Sequence, residues 1–303
     1  MSVLCFQQRF LCLKYFNSSV GMRLCRMPVS VVTGANKGVG FGIVRSLCKS
    51  VGGTVILTSR NEERGLAAVQ SLQAEGLNPV FEQLDICSDD SISKFCETIK
   101  SKYGGIDILC NNAGVAYKRN STAPLLEKAE VTNATNLLAT IKVTDALLPL
   151  MNENGRICQI ASMCGILNRS FADPGNPVRQ RLVDPNLTVE GLMDIYQEYI
   201  EAVKRDDYSV FKQNGAYEFS KCMLIAHTRI LGRQLEQDSR KVIVNCCCPG
   251  WVDTDMSSHK GPLSIDQGAV TPVLVCTLPE GAGSGHFYRE EKVFDWENDK
   301  YLS

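Results

Sequence analysis

From Pro28 onward, short β-branched runs alternate with longer amphipathic stretches along the chain. The apolar runs are VSVVTG (29–34), TVILTSR (54–60), PVFEQLD (79–85), IDILCNNAG (106–114), RICQIAS (156–162) and KVIVNCCCP (241–249). Near-continuous apolar strands separated by helical segments belong to a parallel sheet covered on both faces. The expectation is therefore a single doubly wound α/β domain, a Rossmann fold, over residues 28–303. Among the helices, SDDSISKFCETIKSKY opens on Ser88 as an N-cap with acidic residues in its first turn. Residues 166–214 break the rhythm. Pro174, Pro177 and Pro185 mark an irregular stretch, and a helix follows with Leu192, Ile195, Tyr196, Tyr199 and Val203 along one side. This segment reads as a helical insertion within one domain.

Composition narrows the classes. The chain has 303 residues, 44% of them hydrophobic, enough for a sizeable core. Lys plus Arg (32) nearly balances Asp plus Glu (33), which gives no reason to expect a nucleic-acid partner or an anionic membrane surface. Fourteen cysteines without a C-x-x-C pair, spread over apparent strands and helices, read as reduced thiols. His227, His259 and His286 lack metal-ligand spacing, so no metal site is expected. Residues 1–27 carry Arg9, Lys14, Arg23 and Arg26 but no acid. That composition fits either a mitochondrial transit peptide or a plain extension, with Met27 as an alternative start. Cytoplasmic residence is the expectation, mitochondrial import the alternative. No run approaches the roughly 18 apolar residues of a membrane span.

The first strand leads into TGANKGVGFG, where Gly34, Gly38 and Gly40 precede a helix. Glycines there let the backbone approach a pyrophosphate, and the helix start offers free N–H groups to an anion. Asn36, Lys37 and Val39 share this loop. Where dinucleotide-binding proteins specific for NAD carry an acid at the end of the second strand, this chain has Arg60. Arg60 and Lys37 together suit a 2′-phosphate and point to NADPH. Asp85 and Ile86 are expected beside the adenine, and Asn112, within NNAG, along the cofactor cleft.

In GAYEFSKCML, Tyr217 and Lys221 stand at i and i+4 and share a helical face. A neighbouring ammonium favours the phenolate and is expected to bring the tyrosine toward a working range. Ser162, ending the strand RICQIAS, is placed to hydrogen-bond a carbonyl oxygen as charge develops on it. Asn136, an amide among apolar residues, needs partners if buried and is a candidate to hold a proton-relaying water.

TGANKGVG, NNAG, Ser162, YEFSK and CPGWVDTDM together resemble the short-chain dehydrogenase/reductase family over residues 28 to about 297. ATNLLAT, LLPLM, NCCCPGWVDTDM and FYREEKVFDW are most similar to its monomeric NADPH-dependent carbonyl reductases. The resemblance implies that Tyr217 donates a proton, Lys221 tunes it and binds the nicotinamide ribose, Ser162 orients the carbonyl and Asn136 completes a relay. It also implies that Trp251 to Thr254, with Val252, Asp253 and Thr254 as contacts, embrace the carboxamide and diphosphate. Ala161 stands where many relatives have a second serine.

Ser162 and Tyr217 lie 55 residues apart, much further than in most of the family, and the inserted segment makes the difference. In the resembled reductases such a segment covers the surface used for subunit pairing, so a monomer is expected. Cys248, just before PGW, is a candidate reactive thiol near the nicotinamide. The expected activity is hydride transfer from NADPH to a ketone, aldehyde or quinone as small-molecule substrate. A hydroxysteroid or sugar oxidoreductase, or a non-catalytic NADPH-binding sensor, remains the alternative on the same scaffold.

Overall fold

The computed structural model describes residues 26–118, 120–211 and 215–302, so all but the last two residues of the basic N-terminal segment lie outside the described part. Nine strands form one sheet in the order β3-β2-β1-β4-β5-β6-β7-β8-β9. The first six are β1 (Val29–Val32), β2 (Thr54–Ser59), β3 (Val80–Gln83), β4 (Ile106–Asn111), β5 (Met151–Ile160) and β6 (Ile243–Cys248). They are the expected six, mutually parallel, with β5 starting five residues earlier than its apolar run.

Successive strand residues face opposite layers. Val31, Ile56, Leu109 and Val244 pack with α3 (Asp89–Thr98), α5 (Thr140–Leu147) and the end of α9 (Ala216–Leu235). Val32, Leu57, Ile108 and Ile160 pack with α1 (Gly38–Ser50), α2 (Glu62–Ala74) and α10 (Ile265–Cys276). Burial on both sides is why these strands read as continuous apolar runs. Ser88 caps α3, accepting from Ser91 N, with Asp89 and Asp90 in the first turn as expected.

Three strands escaped the sequence reading. β7 (Phe287–Arg289) extends the parallel sheet, and β8 (Lys292–Asp295) and β9 (Lys300–Tyr301) add antiparallel ribbons. The β7–β8 loop consists of Glu290 and Glu291, both at positive φ (49° and 62°). A two-residue hairpin wants that geometry but usually signals it with Asn or Gly, which Glu-Glu conceals.

Residues 166–214 contain α6 (Leu167–Ser170), α7 (Pro177–Val183) and α8 (Val189–Lys204). The predicted stripe of α8 is buried, and it packs on α4 (Leu125–Asn133) and α9. Tyr199 stacks on Phe219 of α9 with ring centroids 3.8 Å apart, and Phe211 meets both rings edge-on.

The described cysteines are free thiols. Cys110, Cys158 and Cys276 hold their Sγ atoms within 4.8 Å of one another, and Cys158 Sγ lies 3.7 Å from that of Cys247. They sit among Val32, Ile43, Leu57 and Ala269, where burial pushes the Cys158 thiol far up. Their surroundings are those of small apolar fillers.

Candidate active site

The turn from β1 into α1 is held from below. Thr33 N bonds Cys110 O and Ala35 N bonds Thr58 O, tying the turn to both neighbouring strands. Asn112 completes the brace: its Nδ2 donates to Thr33 O (2.9 Å) and Gly34 O (3.1 Å), while Thr33 Oγ1 accepts from Asn112 N and Ala113 N. Gly34 is left-handed (φ 60°), and a Cβ on it would lie 2.9 Å from Ala113. A Cβ on Gly40 would lie 2.4 Å from the Asn112 amide. The glycines are therefore required by the packing of the loop against NNAG, as well as by any ligand above it.

Lys37, the N-cap of α1, caps none of the free N–H groups with its side chain, and the first turn holds no acid. Free amides and the positive end of the helix dipole thus face a cleft of about 710 Å³, lined also by Arg60, Arg64, Asp85, Ile86, Asn112, Asp253 and Thr254. An uncapped helix start, a backbone no side chain can crowd, and two guanidiniums by the end of β2 fit a phosphorylated dinucleotide. Arg64 was not singled out in the sequence. Its signal was available, because Asn61 caps α2 and sets Arg64 at the third helical position, near Arg60. Lys37 does not stand free beside the arginines: Nζ donates to Asp255 Oδ2 at 2.5 Å, and His259 bonds both Asp253 and Asp255. The two acids hold the His259 imidazole above its ordinary range.

Tyr217 and Lys221 line the same cleft. Helix α9 begins at Ala216, so both side chains leave its first turns on one face. Lys221 is 5% exposed, its Nζ donating to Ile160 O (2.6 Å) and lying 5.7 Å from the Tyr217 ring centroid. Burial lowers its pKa to about 8. Ser162, half-buried two residues beyond β5, accepts from Cys164 N (3.1 Å), and its hydroxyl draws the Tyr217 pKa down. A Cβ on Gly165 would lie 2.5 Å from the Lys221 carbonyl carbon, so the loop after Ser162 presses directly on α9.

Several expectations need correction. Burial drives the Tyr217 pKa upward, the opposite of the expected shift, and the neighbouring Ser162 hydroxyl offsets it only in part. The lysine cannot prevail because it sits by the ring and is itself weakened by burial. Asn136 does not line the cleft. It lies fully buried in the π-helical turn Ala134–Ala139, Oδ1 accepting from Val115 N (2.8 Å) and Nδ2 donating to Val115 O (2.9 Å) and Ser220 Oγ (3.1 Å). Both amide hydrogens are spent, which leaves one lone pair of Oδ1 as the side chain's remaining site for a water. Val252 turns from the cleft toward Gly268 of α10. Cys248 is 7% exposed, accepts from Gly250 N, and has its thiol pushed up by burial, which suppresses the reactive thiolate.

Comparison with known proteins follows the same lines. Residues 28–172 match the short chain dehydrogenase family. Carbonyl reductase (NADPH) 1 of Mus musculus is 41% identical over 274 residues, covering 89% of this chain and 98% of that protein. Carbonyl reductase (NADPH) 3 of Rattus norvegicus is 40% identical, with coverage of 88% and 98%. Among solved structures, salutaridine reductase from Papaver somniferum superposes with a TM-score of 0.77 at 30% identity, covering 86% of this chain and 99% of that one. Menthone neomenthol reductase from Mentha piperita gives 0.73 at 28% identity, covering 86% and 98%.

Proposed function

The chain belongs to the short-chain dehydrogenase/reductase family, and from that premise we propose that it is an NADPH-dependent carbonyl reductase acting on ketones, aldehydes or quinones. One observation carries the reading: Tyr217 and Lys221 line the same cleft as the glycine turn, Arg60 and Arg64. Arg60 and Arg64 would hold the 2′-phosphate, the first turn of α1 the diphosphate, and Asp85 with Ile86 the adenine. NADPH, when bound, supplies the hydride.

The chain's own part is positioning and electrostatics. Ser162 orients the substrate carbonyl and keeps the Tyr217 hydroxyl directed at it. Tyr217 gives its proton to the developing alkoxide. Because burial holds that phenol up, it stays protonated at neutral pH and is ready to donate. Lys221, carrying its charge below about pH 8, stabilises the phenolate left behind. The α8 helix packed on α4 and α9 supports a monomer, since it occupies a broad helical face. Among the described residues no helix is long and apolar enough to cross a membrane; the free thiols of the described cysteines support a cytoplasmic location.

The test is oxidation of NADPH and NADH, followed by absorbance, with menadione and a set of aliphatic and aromatic aldehydes. We expect turnover with at least one carbonyl compound and a preference for NADPH of about 10-fold or more, from charge-assisted bonds to the extra phosphate. Equal use of both cofactors would remove the role given to Arg60 and Arg64. No oxidation with any carbonyl compound would count against the activity itself.

A further inference from the structure

We propose that Ser220 is a positioning residue for the reaction, the joint through which Asn136 fixes the turn carrying Tyr217 and Lys221. The proposal rests on the reading of Tyr217 as proton donor. Ser220 is fully buried, immediately before Lys221 and three residues after Tyr217. Its Oγ lies 2.7 Å from Tyr217 O and 3.1 Å from Asn136 Nδ2.

Donor and acceptor chemistry fixes the direction of every bond in this chain of contacts. Val115 N–H can only donate, so the Asn136 atom 2.8 Å away is the oxygen and its amide nitrogen faces Ser220. The Tyr217 carbonyl can only accept, so the Ser220 hydroxyl donates to it and takes the Asn136 N–H on its own oxygen. The Tyr217 carbonyl is also the helical acceptor for the Lys221 N–H, four residues on. Ser220 therefore adds a second donor to the one carbonyl that sets the spacing of the two active side chains.

The path continues to the cleft wall. Val115, bound at both its N–H and C=O by Asn136, follows directly on NNAG and lines the cleft. A Cβ on Gly114 would lie 3.1 Å from Asn136 Oδ1 and 3.8 Å from Lys221 Nζ, so the wall touches the joint at both ends. Asn136 and Ser220 thus link the Val115 wall, the π-helical turn and the catalytic turn by hydrogen bonds. With Ser220 fully buried, a bond lost there is not readily replaced by solvent.

The experiment compares Ser220→Ala, Ser220→Cys and Ser220→Thr with wild type, measuring kcat, KM for NADPH, the pH profile and the melting temperature. Tyr217→Phe serves as control. Ser220→Ala should lower kcat about 3- to 10-fold, as expected for one lost buried bond, leave KM for NADPH within about twofold and shift the pH profile. Ser220→Thr, which keeps the donor, should recover most of the loss. Ser220→Cys, a weaker donor of similar size, should fall between, and this ranking holds the test even if the alanine variant does not fold. An alanine variant with wild-type kcat and pH profile would overturn the proposal. So would a loss that tracks melting temperature alone and is not relieved by threonine. Full activity in Tyr217→Phe would instead overturn the reading of the site itself.

Discussion

Tyr217 and Lys221 share a helical face, yet their titrations are set mainly by what encloses them. Burial disfavours whichever form is charged, so it moves the phenol up and the ammonium down. The i, i+4 spacing was legible in the sequence; the dominance of burial was not, because it depends on Ile160, Ser162 and the Gly165 loop, which arrive from a distant strand. A lysine at about 8 has a kinetic consequence. Its folded value lies below the ordinary lysine range, so the charge that steadies a phenolate is present below pH 8 and lost as pH rises through it. The value of kcat/KM for NADPH reports groups of the free enzyme, and it should fall between pH 8 and 9. Lys221→Arg, which cannot lose its proton in that range, should move the falling limb beyond pH 10 even where its rate is low. A wild-type profile flat to pH 10 would contradict the assignment.

The elements differ in how openly they announce themselves. The two-sided strands and the capped helix α3 could be read directly, whereas the Glu290–Glu291 hairpin and the π-helical turn Ala134–Ala139 carry no local signal. Both are imposed by tertiary contacts, in the second case by the grip of Asn136 on Val115. The C-terminal elements bear on the site as well. Trp296, just after β8, donates its indole N–H to Gly165 O (2.8 Å), and its own carbonyl accepts from Leu167 N (3.1 Å). Arg229 of α9 lies 5.1 Å from its ring. The end of the chain thus pins the loop that leaves Ser162 against α9. Trp296→Phe keeps the aromatic bulk and loses the donor, leaving Gly165 O without that partner. Urea unfolding should show a loss of about 1–2 kcal/mol, accompanied by lower kcat. Unchanged stability and turnover would show that the loop is held by its packing alone.

For the molecule as a whole, the parallel strands of one sheet gather residues separated by more than two hundred positions along a single edge. Gly34, Arg60, Asp85, Asn112, Tyr217 and Thr254 all border one cleft because strand carboxyl ends point the same way. That convergence was legible before any coordinates, since it follows from strand order and handed crossovers. What escaped was the finer allocation: Arg64 in place of a free Lys37, Asn136 as brace, Cys248 sealed off. Each depends on which neighbour a polar group finds, and spacing does not encode that. The claim on which the account turns is that the Tyr217 hydroxyl delivers the proton. Turnover of Tyr217→Phe at saturating NADPH, with cofactor binding followed separately by fluorescence, tests it most directly. The account predicts NADPH affinity near wild type and turnover reduced by about 10²- to 10⁴-fold. Turnover equal to wild type in the phenylalanine variant would contradict it.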